Sequence, residues 1–181
     1  MDSLEEYINL LHNKSFSGND IIKFLGGKCN LLTYPELTNF DNIFDAMGEH
    51  KALVILYMTK ENYGHWVCLF EHPNGKIEFF DSYGTIVDDQ LKKIPSNFRK
   101  VSNQEYPHLT YLLYKSKRPI EYNHTILQKK YKSKIDTVAT CGRHVCVRLA
   151  SREIPLKQYV KTLLSQARDP DTVVTFLTHY V

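Results

Sequence analysis

The sequence predicts an α+β fold: a mixed or antiparallel central sheet flanked by helices, with a helix opening at Cys141 packed on that sheet. Three observations carry this. Capped, helix-like segments lie at both ends of the chain. Between them, Lys51 to Thr59 (KALVILYMT) and His65 to Glu71 (HWVCLFE) are nearly continuous apolar runs, which read as strands buried on both faces. Finally, Cys141 to Ala150 follows the small-residue and polar stretch Thr137-Val138-Ala139-Thr140 and is apolar-periodic, with Val145 and Leu149 inward. At 181 residues the chain is read as one domain, 1–181, large enough for a real core.

Taken in order, Ser3 with Glu6 makes a capping box for a first helix through about His12. Asn19 is read as the cap of a second helix, Asp20 to Leu25, which Gly26-Gly27 ends. Phe40 to Met47 is a third, ending at Gly48. Strands are expected at 51–59, 65–71, 76–81, about 109–115 and 120–127. After the Cys141 helix come Pro155 to Arg168, with Pro at the first helical position, and Asp171 to Tyr180.

Strand arithmetic links two polar residues. If Asn74-Gly75 formed a two-residue hairpin loop, Asp81 would face Cys68, away from His65. With a three-residue loop, Asp81 lies opposite Val67, diagonal to His65 and on its face. Pro73-Asn74-Gly75 suits the second loop, a type I turn followed by Gly in the left-handed position of a bulge. The turn chemistry therefore favours the register that makes a His65–Asp81 pair. Cys141 stands at the start of its helix, where the macrodipole and unpaired N–H groups favour a thiolate and can stabilise an oxyanion. Gly142 would let a substrate carbonyl approach the backbone there. Cys146, one turn on, reads as core, as do Cys29 and Cys68.

Gly64-His65-Trp66-Val67, a short hairpin to Phe79-Phe80-Asp81-Ser82-Tyr83-Gly84, then Gln128, then Cys141-Gly142-Arg143 ahead of a helix, resembles the adenovirus maturation protease (adenain). It is similar also to the SUMO- and ubiquitin-like-protein proteases, and most of all to proteases of virophages, Polinton-type elements and large DNA viruses. The resemblance covers roughly residues 20–155 and implies the adenain-like cysteine protease fold. It implies His65 as general base, Asp81 as its orienting acid, Cys141 as nucleophile and Gln128 as oxyanion-hole donor, with Trp66 walling the substrate channel. Adenain carries Glu at the acid position, and Asp81 is the cellular-protease choice. Where the family's Gln lies nearer the Cys, this chain has Lys134 and Ile135, so a loop insertion over Lys129 to Asp136 is required, with Asn123 as the other candidate donor. The implied activity is a viral cysteine endopeptidase cutting capsid or core precursors at small-residue, Gly-containing sites. Deconjugation of ubiquitin-like proteins is the alternative, and Cys-dependent protein acetylation a third reading.

Composition fits that setting. No run of about eighteen apolar residues exists to cross a membrane, and the acidic Met1-Asp2-Ser3-Leu4-Glu5-Glu6 start lacks a signal-peptide pattern. Four irregularly spaced cysteines without CxxC pairs argue against a disulfide framework or a zinc site. The expectation is an intracellular, monomeric protein of the virus-assembly site and virion, with no metal and no required cofactor. Net charge is only +3, but Lys115 to Arg118 and Lys129 to Lys134 are basic clusters with Tyr111, Tyr114, Tyr122 and Tyr131 interleaved. Two readings stand open here: a weak DNA-binding patch, with DNA or a peptide as activator, and a solvated lysine-rich loop.

Overall fold

The two central apolar runs pair with each other, and the rest of the chain is arranged around that pair. The computed structural model describes residues 3–129 and 138–181. In chain order the elements are α1 (Ser3–His12), α2 (Gly18–Phe24), β1 (Asn30–Thr33), α3 (Ile43–Met47), β2 (Ala52–Lys60), β3 (Tyr63–Glu71), β4 (Ile77–Phe80), α4 (Ser96–Val101), α5 (His108–Ser116), β5 (Ile120–Tyr122), α6 (Cys141–Ala150), α7 (Leu156–Leu164) and α8 (Pro170–Leu177). Short 3-10 turns occupy Tyr34–Asn39 and Asp89–Lys93. The sheet runs β1-β2-β3-β4-β5, antiparallel at its centre and parallel at both edge pairs.

Alternation sorts the buried side chains into two layers. Val54, Leu56, Trp66, Cys68, Phe70 and Phe80 point to one face, where Val145, Cys146 and Leu149 of α6 meet them. Leu53, Ile55, Tyr57, Val67, Leu69 and Phe79 point to the other, covered by α3 and α5. Both faces of β2 and β3 are therefore dry, which is why their sequences do not alternate. Each such Leu or Phe stabilises the fold by about 1.5–3 kcal/mol through burial. Arg148 of α6 reaches Glu78 of β4 with Nε at 2.7 Å from Oε1 and Nη2 at 2.9 Å from Oε2, both side chains fully buried. That bidentate bond pins the helix that opens at Cys141 to the sheet.

The hairpin takes the three-residue register. Glu71 pairs with Ile77 and Cys68 with Phe80, His72 and Lys76 close the loop through a 2.8 Å backbone bond, and Gly75 has φ +82°. The same count places Asp81, one residue past the end of β4, opposite Val67.

Elsewhere the structure corrects the sequence reading. Residues 109–115 are not a strand but α5: Leu109, Leu112 and Leu113 are buried while Thr110, Tyr111 and Tyr114 are exposed, a 3.6-residue period that outweighs the strand preference of Thr and Tyr. The strand expected at 120–127 stops at Tyr122, because Asn123 turns its amide onto the Asp81 and Thr125 carbonyls. The cap of α2 is Ser17, in a reciprocal box with Asp20, rather than Asn19. The third helix is confined to Ile43–Met47 with Asn42 as its cap. The helices expected at 155–168 and 171–180 are shorter, and β1 and α4 were not foreseen. Among the described residues no helix is long and apolar enough to cross a membrane.

Candidate active site

β4 ends early, and this opens the site. Past the Cys68–Phe80 pair the β3 edge has no β4 partner, and the Trp66 N–H on that edge donates instead to Cys141 Sγ at 3.5 Å. Cys141 is the first residue of α6, so its sulfur sits at the positive end of the helix, beside the β3 backbone.

On the neighbouring β3 residue, the His65 ring Nε2 lies 2.7 Å from Asp81 Oδ1, with the histidine side chain 9 % exposed and the aspartate side chain fully buried. Burial alone would lower the imidazole pKa. The Asp81 charge and hydrogen bond outweigh it, the Cys141 thiol adds to them, and the net shift is upward. Burial would likewise raise the Asp81 pKa, but His65, Thr85 and the Tyr83 N–H hold it below the usual carboxylate value. The carboxylate is fully occupied: Oδ1 also accepts from Tyr83 N at 2.8 Å, and Oδ2 accepts from Gln90 Nε2 at 2.9 Å and from the Thr85 hydroxyl. Tyr83 stacks on the His65 ring, centroids 4.5 Å apart, and the Lys93 ammonium lies 5.4 Å from the Tyr83 ring centroid.

The structure thus brings His65, Asp81 and Cys141 together. It bonds both ends of the Gln128 amide within the fold. The side chain is buried, Oε1 accepts from Ser82 Oγ at 2.6 Å, and Nε2 donates to the Val138 carbonyl at 3.1 Å. It braces the turn after Asp81 against the approach to Cys141, leaving one Nε2 proton beyond the Val138 bond. Asn123 donates both amide protons to carbonyls and is a turn brace. Trp66 is 6 % exposed, its indole N–H bonds the Phe16 carbonyl at 2.9 Å, and it walls a groove of about 380 Å³ with Phe16, Gly18, Leu31, Tyr63 and Gly64. The space a Gly142 side chain would need is filled by Phe16 and Trp66, with a Cβ there 2.8 Å from Phe16 Cβ, so this glycine serves close packing of α6 on that side.

Tyr83, Thr85 and Gln90 were missed from sequence. An aspartate directly after a strand and before Ser-Tyr-Gly signals a turn bonded to its own backbone two residues on; nothing local marks Gln90. Of the basic clusters, Lys115 lies on α5, with Lys117 and Arg118 just beyond it, and Lys129 is exposed. Lys130 to Lys134 lie outside the described residues, as does most of the expected insertion. Tyr111 and Tyr114 are exposed on α5. All four cysteines are free and buried. His72, Glu78 and Glu121 offer ligand atoms within 4.8 Å of one another, but Glu78 is taken by Arg148 and Glu121 by Lys76, so the trio is already neutralised without a metal.

No family model matches the chain. Among solved structures, the central domain of the uncharacterized Lpg1148 protein from Legionella pneumophila is 15 % identical, covering 92 % of this chain and 96 % of that one with a TM-score of 0.39. ChlaDub1 from Chlamydia trachomatis is 14 % identical, covering 99 % of this chain and 76 % of that one, also with a TM-score of 0.39. Both likenesses are distant. A protein of Sputnik virophage, "Uncharacterized protein V9", is 38 % identical over 168 residues, 91 % of this chain and 94 % of its own length. At that identity and coverage, the chain belongs to the family of this virophage protein.

Proposed function

We propose that the chain is a viral cysteine endopeptidase that cuts capsid or core precursor proteins during virion maturation. The observation that carries the reading is the His65–Asp81 bond of 2.7 Å beside a cysteine at a helix N-terminus. Membership of a virophage protein family supports the viral setting. Asp81 orients the imidazole and favours its cationic form, so that His65 takes the Cys141 proton as the sulfur attacks. The thiolate adds to the scissile carbonyl, and N–H groups of the first turn of α6 receive the oxyanion, with the remaining Gln128 amide proton as a further donor. As the tetrahedral intermediate collapses, His65 passes its proton to the departing amine. His65 then deprotonates the water that cleaves the thioester. No metal or bound cofactor enters these steps; DNA or a peptide is the candidate activator. The enzyme acts as a monomer at the intracellular assembly site and in the virion.

The substrate is an extended segment lying along the groove walled by Trp66. None of the residues lining that groove is charged, which suits uncharged residues, with Gly or Ala flanking the bond. Profiling on a peptide library tests this: enrichment of small residues beside the cut supports it, and a preference for bulky or charged residues there contradicts it. Running ubiquitin-like fusions in parallel separates precursor maturation from deconjugation, which shares the chemistry but requires the folded partner for efficient cleavage.

A further inference from the structure

A second buried histidine–carboxylate contact lies directly behind the nucleophile. Asp171, in the first turn of α8, is 2 % exposed. Its Oδ1 accepts from Thr140 Oγ1 at 2.6 Å and meets His144 Nε2 at 3.0 Å, while Oδ2 accepts the Lys129 backbone N–H at 2.9 Å. Burial would raise its pKa, but the His144 bond and charge, then the Lys129 N–H and the Thr140 hydroxyl, bring it below the ordinary carboxylate value. One carboxylate therefore gathers the residue before Cys141, the residue one helical turn into α6, and the residue after Gln128.

Thr140 makes the arrangement informative. It stands at the N-cap of α6, where a threonine hydroxyl ordinarily accepts a hydrogen bond from an N–H of the first turn. Here it makes no cap bond: its backbone, at φ −99° and ψ 2°, lies outside the extended conformation of a capping residue, and its hydroxyl is turned to Asp171, to which it donates. Among the described residues, the first-turn N–H groups beside Cys141 therefore have no side-chain acceptor, and donors to an oxyanion must have none. Building on the peptidase reading, we infer that Asp171 is a positioning residue: through Thr140 it fixes the Cys141 turn of α6 and keeps its amides available.

Because Asp171 variants risk misfolding, the test is made at Thr140. Thr140→Val keeps the shape and removes the donor, whereas Thr140→Ser keeps the donor. Thr140→Val should lower kcat about tenfold or more, since small misplacements of reacting groups are costly, with KM within about twofold of wild type. Thr140→Ser should restore kcat. A peptide aldehyde provides the readout that a merely structural role would leave unmoved. The Cys141 sulfur adds to the aldehyde carbon, the carbonyl π electrons move to oxygen, and the thiol proton goes to His65; no group leaves. Its affinity for Thr140→Val should fall by the same factor as kcat/KM. Wild-type kcat and aldehyde affinity in Thr140→Val, or activity lost only in proportion to the unfolded fraction, would overturn the inference alone. A wild-type chain that cleaves nothing sinks the peptidase reading and this inference with it.

Discussion

Asp81 is the residue on which the electrostatics of the site turns. Against burial, which would strip the His65 ring of its proton, the carboxylate raises the imidazole pKa. Asp81→Asn leaves burial in place and removes the opposing charge, so the His65 pKa should drop. We expect kcat to fall by about 10⁴ with KM little changed, by analogy with the orienting aspartate of serine proteases. The alkaline limb of the pH–kcat/KM profile should also move to lower pH. A limb that stays in place would mean that a different group holds the histidine. Gln128 separates two roles in the same way. As an oxyanion donor, its replacement by Ala should cost about 10²–10³ in kcat. As a brace only, the loss would appear as a lower melting temperature, because Ser82 and the Val138 carbonyl lose buried partners, while kcat of the folded fraction stays put. We expect the first, measured on protein whose folded fraction is known. At this scale much was legible in sequence: His65, Asp81 and Cys141 stand together as their motifs implied. Gln90 and Asp171 were not, because each acts through a contact made only in the fold.

At the scale of elements, the hairpin shows what local chemistry can decide. Pro73-Asn74-Gly75 selects a three-residue loop, the loop fixes the register, and the register puts Asp81 on the face of His65. The same kind of reading failed at α5, where Thr and Tyr suggested a strand but burial of Leu109, Leu112 and Leu113 against the sheet rewarded a helix. Edge strand β1, with four half-buried residues, carries too weak a pattern to be read alone. The helix that opens at Cys141 is held by Arg148 on Glu78, and both side chains are fully buried. Arg148→Ala would leave Glu78 uncompensated in the core apart from His72, and should destabilise the protein by about 3–5 kcal/mol. The urea midpoint checks this, and a loss under about 1 kcal/mol would show that α6 is held by its apolar face alone.

Over the whole molecule, the sheet sets the distances. It carries His65 on β3 and Asp81 just past β4, and it seats α6 on one face so that Cys141 meets the β3 edge where β4 has stopped. The site is thus a consequence of one short strand. Placement of α8 behind α6, which brings Asp171 to Thr140, is a tertiary outcome that no local pattern announces. The most direct measurement is a cleavage time course on a virion precursor protein, run with wild type and with Cys141→Ala of matched thermal stability. Wild type should generate new termini at small-residue sites, and Cys141→Ala none; cleavage by Cys141→Ala at the wild-type rate would contradict a thiol peptidase.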